Sequence, residues 1–222
     1  MTTALQDALG YRFNRPALLD AALVHRSYTA EHAEVPDNER LEFLGDAVLQ
    51  LAVTGFLFAN YPDLKEGEMA KVRAACVNRA ELAVIARELD IGSWLRVGVG
   101  EQSSGGRAKD SILADAIEAI LAAVYLDAGY AAAELVVLTH WEELIHRKAA
   151  TPGARDYKTR LQEQLAVRGV RPQYDVEDSG PDHAKVFSAT VFVEGVSYGS
   201  GAGRSKKEAQ QRAAQQALEG LE

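Results

Sequence analysis

The stretch from Asp110 to Leu126 restricts the fold more than any other feature of this sequence, because it is apolar on nearly every side of the helix that its spacing predicts. A helix that is apolar all round has to be buried inside a domain. Between Ile112 and Leu126 it carries only two acidic residues, Asp115 and Glu118, and no basic residue that could pair with them. Because a buried ionised carboxylate is unfavourable unless it is paired or bound to a metal, this helix indicates a divalent cation site.

A second helix, predicted over about residues 38–58, carries three carboxylates on one stripe. At about 100° per residue, Glu39, Glu42 and Asp46 fall together, beside an apolar stripe that we interpret as facing the core. The predicted core stripe consists of Leu41, Leu44, Val48 and Leu51. Gly45 lies between the carboxylates, and its lack of a side chain would let another backbone approach closely.

The acids of these two helices offer oxygen ligands only. The candidate ligand set is Glu42, Asp46, Asp115 and Glu118. Oxygen ligands suit Mg²⁺, or Mn²⁺ in its place, rather than Zn²⁺, and such a cation can activate water for hydrolysis of a phosphodiester. The alternative is that the acids form ordinary ion pairs, and spacing alone leaves both interpretations open. The basic residues considered for such pairs are Arg40, Lys71, Arg73 and Lys109.

The 222-residue chain changes its pattern near residue 150. Residues 1–148 repeat apolar residues at three- and four-residue spacing, which predicts an all-α domain. Residues 149–154 are small and include Pro152 and Gly153, which predicts a linker. Residues 155–222 follow the order α-β-β-β-α, which predicts an antiparallel sheet with two helices on one face. The expected fold is therefore an all-α domain followed by a small α+β domain.

The best strand in the second part is residues 184–194, where apolar and polar residues alternate. Its predicted inward residues are Phe187, Ala189, Val191 and Val193, with Ser188, Thr190 and Glu194 opposite. Weaker strands are predicted at 173–177 and 196–200, and helices at 156–168 and 205–219. The last helix is expected to turn Ala209, Ala213, Ala217 and Leu218 inward.

The net charge of −8 argues at first against a nucleic-acid partner. The excess of acid is confined to residues 1–154, however, because residues 155–222 hold 10 basic and 10 acidic residues. An acidic nuclease can still bind RNA if its basic residues cluster and its carboxylates hold metal ions.

The cellular setting is indicated by the one cysteine and by the absence of a leader pattern. Cys76 lies among apolar residues and is expected to be a core residue, and a lone thiol favours a reducing, cytoplasmic location. No basic segment followed by an apolar one opens the chain, and no long uncharged apolar stretch occurs. We therefore expect neither a signal peptide nor a membrane contact.

The start of the last predicted helix carries an unusual charge. Ser205 is a plausible cap, and Lys206 and Lys207 follow it in the first turn, where basic residues oppose the helix dipole. A phosphate bound at that helix end would make them favourable.

A polar stripe marks the first helix of the second part. Thr159, Gln162 and Glu163 share one helix face. They could reach 2′-hydroxyls in the wide minor groove of A-form RNA, or they could simply form a solvated face.

Three segments of the first part resemble the ribonuclease III endonuclease domain. NERLEFLGDAVL at 38–49 is similar to that family's signature, with Ala47 where many members have Ser. GGRAKDSILADAIEA at 105–119 and LVHRSY at 23–28 resemble two further motifs of the family.

This resemblance implies roles for the acids and for one aromatic residue. Glu42, Asp115 and Glu118 would bind metal, with Asp46 and Glu118 catalytic, and Glu39 would organise the active site. It also implies a homodimer with one cutting centre per subunit and no small-molecule cofactor. Phe43 would insert into the partner subunit, although it could equally be an ordinary core aromatic. His25 and His32 are interpreted as structural.

Residues 155–222 resemble a double-stranded RNA-binding domain in the segments DYKTRLQE at 156–163, GPDHAKVF at 180–187 and GAGRSKKEA at 201–209. The resemblance implies that His183 touches a minor groove and that Arg204, Lys206 and Lys207 bridge phosphates across the major groove. Recognition would follow duplex shape rather than base sequence. The two resemblances cover nearly the whole chain, in the order found in bacterial ribonuclease III.

The expected function is metal-dependent cleavage of double-stranded RNA. The resemblance implies 5′-phosphate and 3′-hydroxyl ends with short 3′ overhangs, and precursor ribosomal RNA with some structured mRNA and tRNA precursors as substrates. The alternative is a catalytically silent RNA-binding or ribosome-associated protein on the same fold. Retention of all four acids favours the enzyme, because a silent protein has no need for unpaired buried carboxylates.

Overall fold

The computed structural model describes residues 2–153, 156–181 and 185–221. The chain divides into two compact units, Met1–Pro152 and Gly153–Glu222. The first is helical and the second combines helices with a three-stranded sheet, so the predicted fold class is confirmed.

The first unit is built from α-helices with short 3₁₀ turns at Ile91–Trp94 and Gly106–Ala108. Its α-helices are α1 (Thr3–Leu9), α2 (Pro16–Ala22), α3 (Arg26–Thr29), α4 (Glu39–Asn60), α5 (Glu66–Cys76), α6 (Arg79–Glu88), α7 (Val99–Ser103), α8 (Asp110–Ala128) and α9 (Tyr130–Ala149).

Helix α8 is the central buried helix that the sequence predicted. Nearly all of its residues from Ile112 to Val124 are buried, and α2, α4, α6 and α9 pack around it. Its closest neighbour is α4, and the two helices touch at Gly45, where a Cβ atom would lie 1.8 Å from the backbone oxygen of Glu118. The close backbone approach predicted at Gly45 is therefore confirmed.

The apolar stripe predicted for α4 is wrong in part. Val48 is buried, but Leu44 is only half-buried and Leu51 is 56% exposed. The true core face is formed by Gly45, Val48, Leu49, Ala52, Val53 and Leu57. The prediction failed because α4 has two apolar faces, one against α8 and α9 and one exposed, and periodicity alone does not tell them apart.

Helix α4 is, among the described residues, the one helix long and apolar enough to cross a membrane by length and composition. A core helix passes the same test, and the residues of α4 that face α8 and α9 belong to the hydrophobic core of the first unit. Packing therefore accounts for the apolar residues on that face of α4.

The far end of α8 is anchored by a buried carboxylate that the sequence analysis did not single out. Asp127 accepts hydrogen bonds from Tyr11 Oη at 2.7 Å and from the backbone N–H groups of Asn14 and Arg15 at 2.8 and 3.0 Å. Burial alone would raise the pKa of Asp127, but these hydrogen bonds hold it below its usual value. The N-terminal segment is thereby tied to the helix that carries Asp115 and Glu118.

The second unit contains α10 (Tyr157–Ala166), β1 (Gln173–Ser179), β2 (Val186–Val193), β3 (Val196–Gly203) and α11 (Lys206–Glu219). The strands pair antiparallel in the order β1-β2-β3. Both helices pack on the sheet side that holds the core of this unit, and the residues predicted to face inward from the strand and the last helix are buried or half-buried.

Two details of the second unit differ from prediction. Glu194 lies in the turn after β2 with φ +51°, not on the outer strand face. Strand β3 runs on to Gly203, because Gly199, Gly201 and Gly203 lie against α11 so closely that a Cβ at any of them would fall within 3 Å of an atom of that helix. Without those contacts a glycine-rich stretch is typical of a turn.

We expect Gly45→Ala to lower the free energy of unfolding by about 1–3 kcal/mol, because the new methyl group forces α4 away from Glu118. Gly55→Ala on the same helix is the matched control. A Cβ there would meet only side-chain atoms of Tyr130 and Glu134 at 3.9–4.0 Å, so replacing a helical glycine should raise stability by about 0.5–1 kcal/mol. Urea denaturation measures both, and equal stability of the two variants would contradict the close crossing.

Candidate active site

The crossing of α4 and α8 brings carboxylates of both helices together. Ligand oxygens of Glu42, Asp115 and Glu118 all lie within 4.8 Å of one another. Glu42 is three residues before Gly45, and Glu118 is the residue whose backbone Gly45 contacts. The glycine therefore sets the separation of the two helices and with it the spacing of the acids.

Asp46 lies beside this cluster and lines the same depression. Gln50, one turn further along α4, donates from Nε2 to both carboxylate oxygens of Asp46, at 2.9 and 2.8 Å. This contact fixes the orientation of Asp46 without neutralising its charge.

Glu39 is set apart from the other acids. Its carboxylate forms an exposed ion pair with Arg26 at 3.3 Å. The preceding residue, Asn38, is buried and ties the start of α4 to α2 by donating from Nδ2 to the backbone oxygen of Ala22 at 3.0 Å. Glu39 thus lies next to the cluster but is not one of the three acids that converge.

Ordinary ion pairs do not account for the cluster. Within the described ranges, no Lys, Arg or His side chain lies within 4.0 Å of the carboxylate oxygens of Glu42, Asp46, Asp115 or Glu118. Two of the basic residues considered earlier have other partners, since Lys109 pairs with Glu101 and Arg73 donates to Thr54.

The four carboxylates therefore repel one another at a site where burial leaves little water to solvate their charges. Burial, followed by the negative charges of Asp46 and Glu42, raises the pKa of Glu118 to about 8. Burial and the charge of Asp115 raise the pKa of Glu42, and burial raises the pKa of Asp115 against the opposing charge of Arg79. A cluster that favours protons to this degree also attracts a divalent cation.

Two depressions meet at the cluster. The acidic cleft, about 350 Å³, holds the four acids and Arg79, with an apolar rim. Its apolar rim consists of Phe43, Val77, Leu82 and Ala114. The side cleft, about 300 Å³, continues past Glu42 and Asp115 towards Glu39. A larger depression of about 570 Å³ lies beside Arg107, but Asp90 is the one acid among its described lining residues. The volume of a depression therefore does not identify the site that carries the acidic cluster.

Arg79 was missed by the sequence analysis. It is the first residue of α6, directly after Asn78, whose side chain caps that helix by accepting from the N–H groups of Ala80 and Glu81. Nothing in the local sequence separates it from any other arginine at a helix start. Only the packing of α6 on α8 places it beside Asp115 and Glu118.

The donor set fits a divalent metal ion. Glu42, Asp115 and Glu118 supply converging carboxylate oxygens without a nitrogen or sulfur donor, as Mg²⁺ and Mn²⁺ prefer.

His25 stands apart from the cluster, although it lines the side cleft. Its ring accepts from the N–H of Ser27 and so caps α3, which supports the structural interpretation. His32 packs its ring on Tyr28. Cys76 is buried in the core as predicted, and burial raises the pKa of its thiol to about 12.

An apolar stripe is exposed on α4 next to the acidic cleft. Phe43 is 83% exposed, Leu51 56% and Phe58 77%. At 100° per residue these three side chains fall within about 80° of one another. Phe43 is thus not the core aromatic that was one of its two interpretations.

The residues predicted to bind RNA lie on the surface of the second unit. Gln162 and Glu163 are exposed on α10, and Thr159 is half-buried beside them. Arg204, Lys206 and Lys207 are exposed around the start of α11, which Ser205 caps by accepting from the N–H of Glu208. The predicted minor-groove residue His183 lies outside the described residues.

Comparison with known proteins gives one consistent family. Residues 15–144 match the model described as ribonuclease-III-like, and residues 157–221 match the double-stranded RNA binding motif. The curated protein "Ribonuclease 3" of Streptomyces coelicolor is 51% identical over 97% of this chain and 78% of its own length. "Ribonuclease 3" of Thermobifida fusca is 53% identical over 93% of this chain and 86% of its own length.

A solved structure agrees. A nuclease domain of ribonuclease III from Campylobacter jejuni, whose description concerns a flexible region involved in dimer formation, superposes with a TM-score of 0.61 at 41% identity. It covers 64% of this chain and 97% of its own. The chain belongs to the ribonuclease III family.

Proposed function

We propose that this chain is an endoribonuclease that hydrolyses phosphodiester bonds in double-stranded RNA with the help of Mg²⁺, for which Mn²⁺ can substitute. The observation that carries the proposal is the convergence of Glu42, Asp115 and Glu118 within 4.8 Å, with no cationic side chain at ion-pair distance among the described residues. A catalytically silent RNA-binding protein has no use for such an arrangement, because it destabilises the fold.

Each acid has a distinct part in the proposal. The cation would be held by Glu42, Asp115 and Glu118. When bound, it would act as a Lewis acid that activates water and stabilises the leaving oxygen. Asp46, held by Gln50 at the edge of the acidic cleft, orients the attacking water. Glu39, paired with Arg26, organises the approach to the cleft. The products carry 5′-phosphate and 3′-hydroxyl ends with short 3′ overhangs.

A homodimer places two such centres on one duplex. The exposed stripe Phe43, Leu51 and Phe58 is of a kind that monomers rarely leave in water, and the Campylobacter jejuni description concerns dimer formation by the same domain. Because Phe43 both rims the acidic cleft and belongs to the stripe, we place the dimer contact directly beside each centre.

The second unit supplies the grip on RNA. Thr159, Gln162 and Glu163, with His183, would meet the minor groove, and Arg204, Lys206 and Lys207 would bridge phosphates across the major groove. In this proposal residues 1–148 form the endonuclease domain, 149–154 the linker and 155–222 the RNA-binding domain. The substrates are precursor ribosomal RNA and some structured mRNA and tRNA precursors in the cytoplasm, without a membrane or a small-molecule cofactor.

We expect Glu118→Gln to retain duplex binding while its cleavage rate falls on the order of 100-fold or more, because a ligand of the cation is lost while the fold and the RNA-binding surface are not. Gel analysis of a long duplex RNA with Mg²⁺ measures cleavage. Glu88→Gln, which neutralises an exposed carboxylate on α6, is the control and should cut like the wild type. Equal cleavage by the two variants would refute the site assignment.

Replacing Lys206 and Lys207 together by Ala should weaken duplex binding and reduce the slope of log affinity against log salt by about one to two units, because each lysine that neutralises a phosphate releases a counterion. Replacing both by Arg keeps the charge and should preserve the slope. Titration of a labelled duplex at several salt concentrations gives the values. An Ala variant with the wild-type affinity and slope would rule out the phosphate contact.

A further inference from the structure

Arg79 occupies a place in the site that none of the assigned roles explains. The acidic cleft and the side cleft share three lining residues, and these are Glu42, Asp115 and Arg79. Two of the three are proposed cation ligands, so Arg79 lies at the junction where a substrate phosphate has to arrive. It is also the one basic residue, among those the structure describes, that lines the acidic cleft.

The guanidinium of Arg79 is not held in place by any group in the described part of the protein. Across the described residues it forms no hydrogen bond and no ion pair, although its side chain is exposed beside Asp115 and Glu118. Arg26, which lines the side cleft, differs in this respect because it pairs with Glu39. Five N–H donors are therefore available at Arg79 for a ligand.

The position of Arg79 at the start of α6 does not by itself explain why a basic residue is found there. The N-terminus of a helix carries a partial positive charge, which disfavours basic residues in the first turn, and Asn78 already caps the helix. Arg79 is instead stabilised by the acids of the cleft. Its positive charge opposes the rise in the pKa of Asp115 and Glu118.

We propose that Arg79 binds non-bridging oxygens of the scissile phosphate and stabilises the charge that develops on them during hydrolysis. This rests on the proposed function, since it concerns the same cleavage reaction. A guanidinium offers two parallel donors that match two phosphate oxygens. The metal ligands supply negative charge only, so the guanidinium of Arg79, which lines the same cleft, adds the positive charge that allows a dianionic transition state to form among four carboxylates.

The competing explanation is that Arg79 merely offsets the repulsion between the acids. That role would act through cation binding, so a variant lacking the charge would have a changed Mg²⁺ requirement and would regain the full rate once Mg²⁺ saturates. A phosphate ligand would instead be needed at every Mg²⁺ concentration. The two explanations therefore separate in a Mg²⁺ titration of the chemical step.

The test is single-turnover cleavage of a duplex of defined site, with enzyme and Mg²⁺ both saturating. We expect Arg79→Ala to cleave on the order of 100-fold more slowly than the wild type, and Arg79→Lys to recover part of the loss because it restores a point charge but not the paired donors. Duplex affinity without divalent cation should change less than about threefold, since the proposed phosphate contacts of Arg204, Lys206 and Lys207 lie in the second unit. Arg147→Ala, which removes the same charge from an exposed pair with Glu143 on α9, should cleave normally.

A phosphorothioate at the scissile position adds a direct readout of contact. If the guanidinium binds a particular non-bridging oxygen, sulfur at that oxygen and Arg79→Ala should together slow cleavage by less than the product of their separate effects. Cleavage by Arg79→Ala within threefold of the wild type, recovery of its full rate at saturating Mg²⁺, or multiplicative effects for both sulfur diastereomers would each overturn the assignment. Failure of the wild type to cut duplex RNA would instead overturn the proposed function.

Discussion

The contact between Gly45 and the backbone of Glu118 is the constraint on which the rest of the site depends. A Cβ at residue 45 would overlap the carbonyl oxygen of Glu118, so α4 and α8 can cross at this separation only with glycine there. The crossing places Glu42 and Asp46 from one helix against Asp115 and Glu118 from the other. A wider separation would leave the acids too far apart to share one cation.

The same crossing makes the cluster energetically unfavourable without a ligand. Carboxylates at this spacing, partly removed from water and without a cationic partner at ion-pair distance in the described residues, oppose the folded state when they are ionised. The large core around α8 and the anchor at Asp127 stabilise the helices against this repulsion. The fold thus holds in place an arrangement that its local chemistry disfavours, as is common at functional sites.

Much of the fold and part of the site could be predicted from the sequence, because these features depend on the local pattern of residues. The apolar run of α8, the period-two alternation of β2 and the capped basic start of α11 each follow from spacing along one element. Asp115 and Glu118 were also identified, since acids on a buried helix need a partner, and Glu42 was identified from the carboxylate stripe of α4.

Several other relationships between elements could not be predicted from the sequence. Leu51 has the spacing of a core residue, yet it is exposed because the outer side of α4 has no covering helix within the described part of its unit. In the sequence Arg79 cannot be distinguished from any other arginine at a helix start, and only the packing of α6 on α8 brings it to the site. The glycine-rich stretch of β3 indicates a turn in the sequence, but its contact with α11 keeps it in the strand; the glycines concerned are Gly199, Gly201 and Gly203. In each case a contact distant in sequence decides the outcome.

The central claim, that the fold keeps Glu118 in a site built for a cation, is tested most directly by the free energy of unfolding of the wild type and of Glu118→Gln, with and without Mg²⁺. Since the pKa of Glu118 is raised to about 8 in the folded protein, stability that is present below its ordinary pKa is lost as pH rises towards 8. Without metal, Glu118→Gln should escape that loss and be more stable than the wild type by about 2–4 kcal/mol near pH 9, with little difference near pH 5. Mg²⁺ should then stabilise the wild type and leave the variant nearly unchanged. A variant less stable than the wild type near pH 9, or equal stabilisation of both proteins by Mg²⁺, would contradict this account.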